Sequence, residues 1–260
     1  MLKSWLSAAF ISGLILFSCS IKEERSDCPG TLILDLSSVD SLLYDSLRVR
    51  VEAADNFLYN RHIHKSEYKK EIHISVPRTK LALGIYAGDE EVVNYSLPGL
   101  TIPYGKECYQ VYMDNEIIFM NDEVYRKKVK LHKNFSILDF NLIHKNKPYP
   151  FDMELRGTIS GYKLEGQPNI GKFSYTTRID SDGRAKIKIP RQIDGSLELV
   201  IVNDNTIMRK FAIGEYIIES GFDWEKLDLE DVEIEINYTL TKISLVLKDW
   251  EKSFSIEVVI

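Results

Sequence analysis

The chain has 260 residues, 28% charged and 44% hydrophobic, with a formal net charge of −6. Acids and bases alternate along it, so there is no basic patch of the kind a nucleic-acid partner requires. Aromatic residues make up 11% of the chain, including 14 tyrosines, and such side chains suit sheets and cores.

Residues 1–18 read as a secretory signal, in which Lys3 precedes an apolar run from Trp5 to Phe17. About 13 residues is too short for a helix that must cross about 30 Å of hydrocarbon, which takes about 20. Cys19 follows the small Ser18. A cysteine in that place is the expected lipidation site: its thiol is diacylated with palmitate-type chains, the leader is cut away, and Cys19 becomes the N-terminus. Two or three acyl chains hold a protein on a bilayer far better than one. Ordinary secretory cleavage is the competing reading. Lys22-Glu23-Glu24 resembles the export signal that some Gram-negative anaerobes place on lipoproteins bound for the outer face of the outer membrane. The expected location is therefore the outer membrane, surface-exposed and lipid-anchored. Residues 19–29 then form a tether, and the remainder suffices for one large domain or two of about 120 residues.

From there the periodicity is that of strands. Thr31 to Leu36 is a short run rich in branched residues, and Arg48 to Ala53 alternates polar and apolar with period two. Asp55-Asn56 turns the chain into a return strand at Phe57. Lys70 to Val76 alternates again and stops at Pro77. Leu81 to Ala87 is almost wholly apolar or small, as a strand buried on both faces would be. Cys108 to Met113, Val124 to Leu131 and Phe135 to Leu142 complete a first β-sandwich, expected over residues 30–146. Two prolines in Lys145 to Pro150 break the pattern and set the expected boundary.

The second sandwich is expected over 147–260. It begins with Phe151 to Thr158, followed by a glycine-rich stretch from Gly161 to Gly171. Lys172 to Ile179 and Arg184 to Ile189 flank Asp180-Ser181-Asp182-Gly183, which reads as a hairpin turn. Ser196 to Val202 turns at Asn203-Asp204-Asn205 into Ile207 to Ile213. Short helical turns are expected near Glu215–Ser220 and Asp223–Leu227. Val232 to Tyr238, Lys242 to Leu247 and Ser253 to Ile260 close the chain. No short-period repeat is visible.

Chemistry is sparse. His62 and His64 share a strand face near His73, but a zinc site needs three or four ligands and a supporting shell, so exposed edge-strand histidines are expected. Asp180-x-Asp182-Gly183 opens like a calcium loop, yet Arg191 stands where the closing acid belongs. No nucleophile elbow, zinc-protease motif or phosphate-binding loop occurs. Neither a catalytic constellation nor a cofactor or metal site is expected. Once Cys19 is lipidated, Cys28 and Cys108 remain. In an oxidising compartment they suggest one disulfide, closing a loop of about 80 residues and contributing about 4–5 kcal/mol; two buried, unpaired cysteines are the competing reading.

Cys19 to Pro29 with the strand Leu32-Ile33-Leu34 resembles the start of the fimbrial anchor lipoproteins of type V pili, the base subunits of minor and major fimbriae. Phe222-Asp223-Trp224, Asp228 to Ile234 and Lys248-Asp249-Trp250 with the closing strand resemble that family's tail. Val49 to Leu58 resembles its strand, Asp-turn, strand pattern. The resemblance implies an all-β chain of two tandem transthyretin-like β-sandwich domains, without enzymatic activity. It implies a protein held to the outer membrane by its N-terminal lipid, with fimbrial stalk subunits as partners, that anchors a fimbrium and ends its growth. Such pili polymerise by strand exchange, in which main-chain hydrogen bonds give affinity and alternate side chains fill pockets. An anchor should keep its first strand, since cutting before it, for instance at Arg25, frees it from the membrane. The other end is then the donor or docking surface: Phe254, Ile256, Val258 and Ile260 share one face of the last strand, and an ordinary closing strand of the second sandwich is the competing reading. The alternative reading is a surface glycan-binding lipoprotein or adhesin subunit, which would need a flat aromatic platform. A secreted hydrolase is a third.

Overall fold

A computed structural model describes residues 28–68, 70–94, 99–143, 151–204, 206–237, 242–248 and 253–259. The chain is all-β and forms two β-sandwiches in series. In the first, β1 (Gly30–Asp35) lies between β4 (Glu71–Val76) and β8 (Val124–Lys128). The facing sheet runs β3 (Leu58–His64), β2 (Ser46–Ala53), β5 (Lys80–Gly88), β7 (Val111–Phe119) and the short β9 (His132–Lys133). Alternation decides the faces: Ile72, Ile74 and Val76 of β4 enter the core while Glu71, His73 and Ser75 face out.

The second sandwich repeats this plan. β10 (Phe135–Ile143) lies between β13 (Arg184–Pro190) and β16 (Val232–Asn237). Facing them are β12 (Pro168–Arg178), β11 (Asp152–Tyr162), β14 (Glu198–Asn203) and β15 (Thr206–Phe211). In each unit the first strand pairs antiparallel on one side and parallel on the other. The second unit adds the antiparallel pair β17 (Lys242–Lys248) and β18 (Ser253–Val259) beyond β16. A helix at Ile213–Glu219 drives Ile213 and Ile217 into this unit's core. No helix forms at Asp223–Leu227, where the chain turns instead.

A third apolar cluster joins the two units. The tip of the β11–β12 connection lies on the outer face of the first unit's large sheet, so that Leu164 and Tyr162 pack with Tyr86, Met113, Val111 and Leu100. Gly84 permits it, because a Cβ there would lie 2.6 Å from Leu164 Cδ1. β5 is thus buried on both faces, as its composition predicts: Leu81, Leu83 and Ile85 enter the first core, and Tyr86 enters the shared cluster. β6 (Leu100–Thr101) adds to the joint by pairing with β11.

Three further expectations are corrected. The division between the sandwiches is not at Lys145 to Pro150. β10, which precedes that stretch, pairs with β13 and β16 and places Phe135, Leu138 and Phe140 in the second core. The first unit ends at β9, so the proline-rich stretch connects two sheets of one sandwich; residues 144–150 themselves lie outside the described residues. Asp180 to Gly183 is a tight turn, with Gly183 at φ +88°, but not a hairpin. The strands it joins, β12 and β13, belong to opposite sheets.

The disulfide is absent: Cys28 is a free, exposed thiol and Cys108 a free, buried one. Cys28 flanks Arg78 and Thr79, at the end where β5 begins. Cys108 lies just before Val111, which pairs with Gly88 where β5 ends. The nine residues of β5 separate those ends by about 27 Å. A disulfide requires Cα atoms within about 7 Å. Cys108 instead packs in the second core, where burial pushes its thiol pKa well up and leaves it inert.

Candidate functional site

His62 and His64 stand exposed on the edge strand β3, while His73 lies on β4 in the other sheet. Among the described residues no group of three or more His, Cys, Asp or Glu is placed to hold a metal. Asp180 uses its carboxylate to close its own turn, accepting the N–H groups of Asp182 (2.9 Å) and Arg184 (2.8 Å). These accepted bonds hold its pKa below the usual carboxylate range. Among the described residues the large exposed aromatic rings are Tyr104 and Phe119, which belong to different sandwiches: Gly105, beside Tyr104, bonds to Ser174 of β12, whereas Phe119 ends β7. They make no common platform.

A crevice of about 590 Å³ lies where the sandwiches meet, and several of its polar groups hold the joint. Arg191 donates to the carbonyls of Trp224 and Leu227 and, at 3.1 Å, to Asn134 Oδ1. The Tyr162 hydroxyl donates to the Asn134 carbonyl and accepts the Arg191 N–H at 2.7 Å. Asp228 meets His132 Nδ1 at 3.0 Å and accepts the Lys133 N–H at 2.8 Å. Burial raises the Asp228 pKa, but these bonds outweigh it and hold the carboxyl below its ordinary value. The connector 132–134 is thereby strapped to the loop before β16, and the crevice is a structural joint.

The sheet edges differ more informatively. β1 is paired along both sides, with β4 and with β8, so the first-strand position is filled. At the far end of the chain, β17 pairs with β18 from Lys242↔Val259 to Lys248↔Ser253. β18 ends its sheet among the described residues, with its outer edge unpaired. Phe254, Ile256 and Val258 fall in this strand as expected; Ile260 and Cys19 lie outside the described residues. Glu257 is the one charged residue of β18. Natural edges are commonly guarded by charge, proline or bulges, and this one carries little of that protection.

One cluster escaped sequence reasoning. Lys127 of β8 reaches between the sheets to Asp114 Oδ1 (2.8 Å) and Glu116 Oε2 (2.9 Å) of β7. Tyr125 donates to Glu116 at 2.6 Å. Burial opposes charge on Lys127, yet its two carboxylate partners prevail and raise its pKa. Burial also opposes charge on Glu116, but Tyr125 and Lys127 hold that carboxyl low. The available signal was that Val124-Tyr125-Arg126-Lys127-Lys128 has no purely apolar row at period two.

No family model and no curated protein matches the sequence. Solved structures do match in fold. The fimbrial anchor protein Mfa2 of Porphyromonas gingivalis aligns at TM-score 0.57 and 11% identity, covering 84% of this chain and 97% of that one. The fold is shared over nearly the whole of both. A proposed polysaccharide-binding protein of Bacteroides thetaiotaomicron aligns at TM-score 0.59 and 13% identity, covering 88% and 98%. A proposed adhesin of the same organism aligns at 0.55 and 14%, covering 86% and 97%. At these identities the likeness establishes the tandem-sandwich fold.

Proposed function

We propose that this chain is a non-catalytic surface protein of a fimbrial system, tethered through Cys19 to the outer membrane, that anchors a fimbrium and ends its assembly. The observation that carries this reading is the contrast between the chain's two ends. The first strand is kept and paired on both sides, directly after the tether. The last strand leaves an edge that is unpaired among the described residues and nearly uncharged, at the opposite end of the fold's order. A filled first-strand slot cannot accept a donor, and an open terminal edge can pair with a stalk subunit through main-chain hydrogen bonds. Phe254, Ile256 and Val258, with Ile260, are the proposed docking row. The full-length fold shared with Mfa2 and with a proposed adhesin supports a surface role. The separation of Tyr104 from Phe119 does not favour a glycan platform.

Two measurements test it. Mass spectrometry of the mature N-terminus must find an acylated Cys19, and Cys19→Ala must leave an uncleaved or soluble product; a mature chain starting elsewhere removes the tether. Deleting residues 253–260, with folding and membrane delivery checked, must shed fimbriae into the medium. Fimbriae retained at normal length would make β18 a closing strand only. Val258→Asp is the finer variant, read only after folding is verified.

A further inference from the structure

β8 and β16 occupy the same place in their sandwiches, each parallel to its unit's first strand. Beyond β16 the sheet continues into β17, whose Leu247 and Leu245 stand opposite Ile234 and Ile236. Beyond β8 the sheet stops among the described residues. What each strand turns inward accounts for the difference. β16 turns in Val232, Ile234 and Ile236, all buried in the core. β8 turns in Tyr125 and Lys127, and the Lys127 side chain is only 15% exposed between Asp114 and Glu116.

An added strand must lay its own alternate row beside the inward row of the strand it joins. Beside β16 that row meets aliphatic side chains. Beside β8 it would meet an ion-paired ammonium and two carboxylates, whose remaining hydration it would strip without supplying partners. Inward-pointing charge is a recognised guard of sheet edges. We infer that Lys127 closes the β8 edge to strand addition. A strand that docks by β-pairing is thereby turned away from this edge, and the refused occupant is β8 of a second copy, pairing edge to edge. The inference rests on the proposed strand docking, but its test uses no fimbrial protein, so the two fail separately.

The test compares the chain with Lys127→Ile and with the triple variant Lys127→Ile, Asp114→Asn, Glu116→Gln. The triple variant covers the risk that the single one leaves carboxylates stranded and unfolds. Asparagine at 114 keeps an acceptor for the Lys130 N–H, now 2.7 Å from Asp114 Oδ2. Folding is checked by circular dichroism, mass by light scattering and edge pairing by hydrogen exchange over residues 124–128. The expected result is a doubled mass in the triple variant with new protection at 124–128, against fast exchange there in the unaltered chain. A folded triple variant without new protection at 124–128 overturns the inference. So does an unaltered chain already protected there by a second copy.

Discussion

The same edge is finished in opposite ways in the two sandwiches. Both units thread their strands in the same order around a first strand held antiparallel on one side and parallel on the other. The first unit ends this sheet with Lys127 locked between Asp114 and Glu116; the second buries Ile234 and Ile236 and adds two strands. One inward side chain, apolar or charged, separates a sheet that extends from a sheet that stops. Pairing potential in the backbone is alike in both, so side-chain desolvation decides.

The most damaging way to break the comparison is to write the first unit's solution into the second. Ile234→Lys puts an ammonium among the apolar side chains of the second core. It is expected to cost about 3–5 kcal/mol, read by urea unfolding, and to speed hydrogen exchange in β17. A cost under about 1 kcal/mol would mean the β16 edge tolerates charge and the contrast is not energetic. Next is the joint that both units share: Leu164→Ala removes a buried side chain that packs on the first unit's sheet. About 2–3 kcal/mol is expected, with faster exchange at β5 and β11 together. If exchange rises only in β11, the units do not share that cluster energetically.

Lys127→Ala sharpens the comparison from the other side. About 2 kcal/mol is expected, less than for a fully buried pair because Glu116 is a third exposed. The pH dependence follows from Glu116, whose folded pKa lies below its usual 4.5. Its contribution is complete above that usual value and is lost as pH falls through the lowered one. Lys127→Ala should therefore flatten the acid limb of the stability curve; an unchanged limb would show that the cluster does not couple to folding. The smallest effect belongs to the turn between sheets. Gly183→Ala at φ +88° should cost about 1 kcal/mol, measured as a lowered denaturation midpoint.

Much of this architecture is legible residue by residue. Alternation at Arg48 to Ala53 and Glu71 to Val76 identifies strands and their inward faces. Asn56 and Asp204, both at positive φ, mark turns expected from Asp55-Asn56 and Asn203-Asp204-Asn205. The expected helical turn at Glu215–Ser220 is the helix Ile213–Glu219. The candidate site was legible only at its end: β18 is a strand as read, but the guard at Lys127 was not seen. Its partners Asp114 and Glu116 sit on another strand, and nothing local links them.

What the sequence determines by itself is which residues seek burial and where the chain turns, because both depend on a side chain and its immediate neighbours. Tertiary structure alone decides with whom each strand pairs. Asp180 to Gly183 turns tightly as its residues require, yet whether the chain returns in the same sheet depends on β10 being available to pair with β13. β10 falls to the second unit because Phe135, Leu138 and Phe140 find that core. Cys28 and Cys108 are parted by the length of β5, and the two units are joined because Gly84 leaves room for Leu164. Each outcome turns on contacts between segments far apart in the chain, settled by the packing of the whole molecule.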